Sequence, residues 1–183
     1  DIYCDMHPGN QVQPACRLAS LDQLQRVIYL GGFSKTMAAN LRVGFIAASP
    51  SLAARLADRK MLASLTTPET GERVVYKILS EGLYRKHVER IRNRLMSVRE
   101  KRMRRLEQIG LKIDFDPCAG MFLWVDAGCD TNVLAEKAMA RNYLLAPGAL
   151  FSPRQLSSTR MRINLANLSD EGVLNFFAEH LRR

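Results

Sequence analysis

Across residues 71–110 the apolar side chains Val88, Ile91, Leu95 and Val98 recur at alternating spacings of three and four, with charged residues filling the positions between them. That pattern predicts a long helix with one apolar stripe. Gly82 is placed to kink it and Gly110 to stop it. Upstream, "VIYLGGFSK" (27–35) predicts a short apolar strand broken by glycines, and "VGFIAASP" (43–50) a second strand ended by Ser-Pro. "PSLAARLADRKMLASL" (50–65) suits a helix that starts at proline and carries Leu52, Leu56 and Leu62 on a helical period. "TTPETGERVV" marks the next helix start.

Beyond Gly110 the texture changes. "LKIDFDP" and "GMFLWVDAG" predict two strands around a Pro-Cys-Ala-Gly turn. "DTNVLAEKAMARN" predicts a helix capped by Asp130 or Thr131 and ending near Asn142. "YLLAPGALFSP" is apolar and turns at Pro147 and Gly148. "RMRINLAN" (160–167) alternates, which places Arg160, Arg162 and Asn164 on one face of a strand and Met161, Ile163 and Leu165 on the other. "SDEGVLNFFAEHLRR" predicts a closing helix with Ser169 as its N-cap. The elements describe an α/β chain: a piece of an α/β layer over 1–70, a long basic connecting helix over 71–110, and a compact α+β unit over 111–183. No internal repeat or low-complexity tract is visible.

Composition narrows the classes. Hydrophobic residues make up 47% and charged residues 25% of the 183, the balance of a globular chain able to bury a core. No apolar run is long enough to span a bilayer, and "DIYCDMHPGN" has no basic n-region, so neither a membrane span nor a signal peptide is expected. The chain begins without methionine, which suggests a piece of a longer protein. Cys4, Cys16, Cys118 and Cys129 show no zinc spacing, and His7, His87 and His180 have no neighbour at a ligand offset, so free cytosolic thiols are expected and no metal site. The net charge is +9; residues 71–110 hold twelve Lys/Arg against five Asp/Glu, so most of the excess sits on the predicted helix. A solvated outer face explains it, and so would a nucleic-acid footprint, although no interleaved aromatics or reading motif accompany the charge.

The stretch "GGFSKTMAANLRVG" carries the candidate chemistry. Lys35 follows an apolar strand and two glycines, so it leaves the sheet at a strand end, where ligands of α/β folds gather. Met37 to Asn40 lets a backbone approach something bulky, and Arg42 returns toward the same place with a guanidinium suited to phosphate. A solvated surface lysine fits these residues. So does a Schiff-base lysine, since an amine beside a phosphate-binding arginine is what a phosphorylated aldehyde requires.

"FSKTMAANLRVGF" resembles the pyridoxal-phosphate lysine motif of class I/II, fold type I aminotransferases. "DIYCDMHP", "AGMFLWVDAG", "LLAPGALFSP" and "RMRINLAN" resemble further segments of that family, in family order and over essentially the whole chain. The resemblance implies the C-terminal part of the large domain, with its mixed, mainly parallel sheet, then a long helix and a small α+β domain. It implies pyridoxal 5'-phosphate as cofactor. Lys35 would form the Schiff base and shuttle the α-proton, Arg42 would bind the phosphate, Ser34 would line the lysine turn, Tyr3 would hydrogen-bond the phenolic oxygen, and Arg162 would take the substrate carboxylate.

Two departures stand out. The family usually has Ser or Thr three residues before the lysine, to meet the phosphate; here Gly32 stands there. The ring-nitrogen aspartate belongs three residues before Tyr3, off the start of this chain, and Asp1 is not assigned that role. The phosphate-binding glycine loop and the stacking aromatic likewise belong to earlier sequence, so this chain is expected to be a C-terminal half holding part of the site. Within the family, "DIYCDMHP", "LDQLQRVIYLGGFSKTMAANLRVGFIAASP" and "LLAPGALFSP" look most like the aminotransferase-like domain of MocR-type GntR regulators. That resemblance implies a cytoplasmic homodimer sensing an amino acid or amine, with DNA bound through a separate N-terminal domain. A free-standing aminotransferase acting on an α-amino acid is the alternative, and a degenerate dimerisation module a third.

Overall fold

The computed structural model describes residues 2–7, 16–115, 120–168 and 171–181; Asp1, Cys118 and the expected cap Ser169 lie outside them. The chain divides into two compact units, Asp1–Arg92 and Asn93–Arg183.

In the first unit a short helix, α1 (Leu18–Asp22), precedes two antiparallel strands, β1 (Tyr29–Gly32) and β2 (Gly44–Ala47). Their register runs from Tyr29↔Ala47 to Gly32↔Gly44. Gly31 is opposite Phe45, and a Cβ there would lie 2.4 Å from the Phe45 ring, so only glycine lets that ring lie across the ladder. Phe45 is flanked by Tyr29 and Phe33, with ring centroids 5.9 and 6.0 Å away. β1 is shorter than the run of apolar letters because the chain turns at once: the Met37 amide donates to the Phe33 carbonyl at 2.7 Å.

Helix α2 (Pro50–Ser64) has proline in its first turn, where the missing N–H costs nothing. Leu52 and Leu56 are half-buried but Leu62 is 80% exposed. Six residues advance a helix by about one and two-thirds turns, so Leu62 falls off the stripe the first two define. The long helix expected over 71–110 is two helices, α3 (Glu69–Ser80) and α4 (Leu83–Gln108), because Gly82 adopts φ +69° and ends the ladder instead of bending it. On α4 the predicted stripe is the less exposed side: Val88 is buried, Ile91, Leu95 and Val98 are half-buried, and Arg92 and Arg99 share that side, half-buried and buried.

The second unit contains the rest of α4, which stops at Gly110, then β3 (Lys112–Phe115), β4 (Phe122–Asp126), α5 (Thr131–Met139), β5 (Ala146–Pro147), β6 (Arg160–Asn164) and α6 (Glu171–Leu181). The strands form one antiparallel sheet in the order β3-β4-β6-β5. Alternation decides its faces: Leu123, Val125, Met161 and Ile163 join one core with Leu134, Leu174, Phe176 and Phe177 of the helices. The strand expected over 160–167 ends at Asn164, whose side-chain oxygen accepts from the Ala166 amide at 3.0 Å and starts a 3-10 turn. Asp130, rather than Thr131, caps α5 by accepting from the Asn132 amide at 2.8 Å. Thr131 is wholly buried and donates to the Ser158 carbonyl at 2.6 Å. No helix among the described residues is long and apolar enough to cross a membrane.

Leu123 is 1% exposed at the centre of this core. Its replacement by alanine should cost about 2–5 kcal/mol of unfolding free energy, and by methionine less than about 1.5 kcal/mol. Urea unfolding measures both, and equal midpoints for the two variants would contradict the packing described.

Candidate functional site

The ladder β1–β2 fixes the first group of residues. The Phe33 amide donates to the Val43 carbonyl at 3.1 Å, continuing the pairing by one more bond. Ser34 and Lys35 therefore leave one strand at the end where Arg42 enters the other, and the seven-residue separation in sequence closes into one turn. Lys35 is exposed and has no hydrogen-bond or ion-pair partner among the described residues. Arg42 is exposed in the left-handed region (φ 53°) and donates only a long, 3.4 Å bond to the Ala39 carbonyl. Ser34 is half-buried in the turn.

Tyr3 opens a 3-10 turn, Cys4–Met6, and is 37% exposed. The turn is tied down by its acidic residue. Tyr84 of α4 lies 2.6 Å from Asp5 Oδ2 and 2.9 Å from the Thr36 hydroxyl. A phenol has one proton and a carboxylate only accepts, so Tyr84 donates to Asp5 and receives the Thr36 hydroxyl. Arg92 Nε donates to the Asp5 carbonyl at 2.6 Å, and His87 Nε2 lies 2.8 Å from the Thr36 carbonyl. Partial burial and the bond to Asp5 push the Tyr84 phenol up to about 12, against an ordinary value of 10.0. These bonds place the segment bearing Tyr3 against the residue that follows Lys35.

Arg162 belongs to the second unit. It stands on the exposed face of β6, opposite Trp124 of β4 and Ala146 of β5. Its guanidinium lies 4.3 Å from the Phe122 ring centroid and 4.9 Å from that of Phe151. Phe151 is held edge-on by Trp124 at 5.3 Å. Stacking holds the guanidinium through its faces and leaves its N–H groups free, and among the described residues Arg162 has no carboxylate or carbonyl partner. Arg160, two positions away on the same face, is instead paired with Asp114 through Nη2 at 3.0 Å. A cavity of ≈ 650 Å³ opens beside Arg162, lined in part by Phe122, Tyr143, Leu144, Leu150 and Asn164.

Lys35, Ser34, Arg42 and Tyr3 thus come from one unit, where ladder and hydrogen bonds bring their segments together, and Arg162 from the other. Thr36, Tyr84, His87, Asp5 and the ring pair around Arg162 escape a reading of the sequence. The 48 residues between Thr36 and Tyr84 hide their pairing. Phe151 gives a weak signal in the apolar run before Ser152.

The sequence matches the family described as "Aminotransferase class I and II" over residues 1–179. Aromatic-amino-acid aminotransferase 1 of Thermococcus litoralis is 32% identical over 173 residues, 91% of this chain and 40% of that protein. The uncharacterized HTH-type transcriptional regulator YisV of Bacillus subtilis is 28% identical over 188 residues, 100% of this chain and 38% of that protein. The crystal structure of LysN, the α-aminoadipate aminotransferase of Thermus thermophilus complexed with N-(5'-phosphopyridoxyl)-L-leucine, superposes with a TM-score of 0.84 at 26% identity, over 99% of this chain and 48% of that one. The chain spans less than half the length of each.

Tyr84 should keep its proton throughout the neutral range. Its raised value, set first by burial and then by the bond to Asp5, means that the protonated phenol contributes stability below pH 10 that is lost as pH climbs toward about 12. Ultraviolet titration should show late tyrosinate steps from Tyr84 and from Tyr29, whose phenol is raised by its bond with Cys4 and by burial, and the Tyr84 step should disappear in Tyr84→Phe. A step near pH 10 shared by every tyrosine would contradict the bond.

Proposed function

The chain belongs to the class I and II aminotransferase family, and on that premise we propose that it holds pyridoxal 5'-phosphate through Lys35 within a GntR/MocR-type transcriptional regulator, sensing an amino-acid or amine effector. Pyridoxal phosphate is the cofactor of the family, and the residues present fit it. The observation that carries the reading is the hairpin end, where the Phe33–Val43 bond closes the seven residues between an exposed Lys35 and an exposed Arg42 into one turn, neither with an anionic partner among the described residues.

Each side chain then has a task. The Lys35 amine would hold the cofactor covalently and, once displaced by the ligand's own amine, would be free to take and return the α-proton. Arg42 binds the phosphate with paired N–H donors. Ser34 lines the turn around the lysine, and Tyr3 donates to the phenolic oxygen. Arg162, held by its two rings, presents free N–H groups to a carboxylate. The cofactor itself supplies an electron sink that lets the α-proton leave. The likeness to YisV supports a regulator, in which DNA is contacted by a domain outside this chain and a homodimer is the working unit. Gly32 omits a hydroxyl that would meet the phosphate, which lowers the expected affinity for the cofactor. The second reading, a free-standing aminotransferase acting on an α-amino acid, is favoured by the likeness to the Thermococcus litoralis enzyme.

Full-length protein incubated with pyridoxal phosphate, reduced with borohydride and digested should yield a phosphopyridoxyl group on Lys35 by mass spectrometry, and none in Lys35→Ala. An unmodified Lys35 in folded protein removes the reading. With the adduct in hand, amino-acid-dependent DNA binding without sustained transamination identifies the regulator, and steady turnover identifies the enzyme.

Gly32 can be tested separately. Its φ is not positive, and a Cβ there would meet only the Val43 carbonyl at 3.6 Å and the Gly44 Cα at 3.7 Å, ordinary contacts. Gly32→Ser should therefore fold normally and bind the cofactor about tenfold more tightly, the effect of one added hydrogen bond to a charged group. Equilibrium titration reads it, and unchanged affinity would show that the phosphate does not approach residue 32.

A further inference from the structure

The chain keeps Lys35 exposed while burying its neighbour. Thr36 is 2% exposed, and both of its polar groups are engaged by α4: the hydroxyl by Tyr84 at 2.9 Å and the carbonyl by His87 at 2.8 Å. Tyr84 and His87 are three positions apart, so they project from one face of the helix. We infer that Tyr84 and His87, with Asp5, are positioning residues for Lys35: they fix the main chain at Thr36 so that the lysine amine is delivered to the cofactor from a stationary Cα. This deepens the reading of Lys35 as the cofactor lysine and rests on it.

The hydrogen-bond chemistry is directional. Arg90 Nη2 lies 3.1 Å from His87 Nδ1, and a guanidinium can only donate, so Nδ1 is the acceptor. That leaves the proton on Nε2, aimed at the Thr36 carbonyl. On the other branch the Tyr84 proton goes to Asp5, and the Thr36 hydroxyl gives its own to Tyr84. Asp5 is two residues from Tyr3, and its carbonyl accepts from Arg92 Nε at 2.6 Å. Two segments far apart in sequence, 2–7 and 33–37, are thereby hung on one helix. Both carry side chains assigned to the cofactor.

The physical need follows from the lysine itself. A four-carbon stem with its amine free has many rotamers, and each additional degree of freedom in the main chain beneath it lowers the fraction of time the amine is in place. Anchoring Thr36 at both its side chain and its main chain removes the second source of freedom. It leaves the first, so the amine remains available. A purely structural role for the same bonds would stabilise the unit without altering what Lys35 does.

The test uses full-length protein and two readouts. Variants are Tyr84→Phe, which removes the phenol oxygen; Thr36→Val, which keeps shape and loses the hydroxyl; Thr36→Ser, which keeps the hydroxyl; and His87→Ala at a half-buried position, which keeps the test alive if Tyr84→Phe does not fold. In cofactor-free protein, hydrogen exchange of peptide 33–41 should be about tenfold faster in Tyr84→Phe, Thr36→Val and His87→Ala, the effect of one lost hydrogen bond, and near wild type in Thr36→Ser. The pyridoxal phosphate concentration needed for half-maximal borohydride trapping on Lys35 should rise about tenfold in the same three and stay near wild type in Thr36→Ser. Wild-type exchange over 33–41 in the folded variants overturns the inference. So does faster exchange accompanied by wild-type trapping, because the bonds would then be structural only. If wild-type protein traps no cofactor on Lys35, the functional reading fails, and with it the assignment of these residues to Lys35, whereas failure of the inference alone leaves wild-type trapping intact.

Discussion

A four-rung antiparallel ladder, from Tyr29↔Ala47 to Gly32↔Gly44, determines where an amine and a guanidinium can meet. Side chains on a strand alternate faces, so a slip of one residue would turn every one of them over. Gly31 leaves room for the Phe45 ring to lie across the ladder, where a Cβ would push the ring aside. The ladder ends in the Phe33 to Val43 bond and the tight turn closed by Met37, and these set Lys35 and Arg42 at the same end of the hairpin. The helices beyond supply what the hairpin lacks: a wall of polar groups that holds the turn still.

The two arginines of β6 are held in different ways. Arg160 and Arg162 stand on one strand face, two residues apart. One is committed to Asp114, and the other is stacked between two rings with its donors unspent. Aromatic faces attract a guanidinium by about 0.5–2 kcal/mol, enough to orient it while leaving its hydrogen-bonding edge to a ligand. An ion pair in that place would orient it as well, but would compete with an incoming carboxylate.

Much of this is legible in the letters, for reasons that can be stated. Periods of two and of three to four survive folding, so the faces of β6 and the stripe of α4 follow from the sequence, as do the proline start of α2 and the stop at Gly110. Motif resemblance survives too, and it is what proposes Lys35, Ser34, Arg42, Tyr3 and Arg162 as site residues. What cannot be read depends on closing long loops. The Tyr84–Thr36 contact crosses 48 residues, and nothing near Tyr84 distinguishes it from another half-buried tyrosine. Local competition also escapes the pattern: Gly82 divides two helices where a kink in one is expected, Asn164 stops β6 early by capping the next amide, and Leu62 lies outside the stripe that its spacing suggests.

Gly32 has a consequence of another kind. Many glycines are kept because the backbone permits nothing else, and a change there passes through a misfolded protein. This one sits in ordinary strand geometry with room for a side chain. Its identity is therefore open to selection for function alone, without a stability threshold in the way. On the proposed reading, one substitution here gains or loses a phosphate contact and adjusts how long the cofactor stays while the fold remains the same.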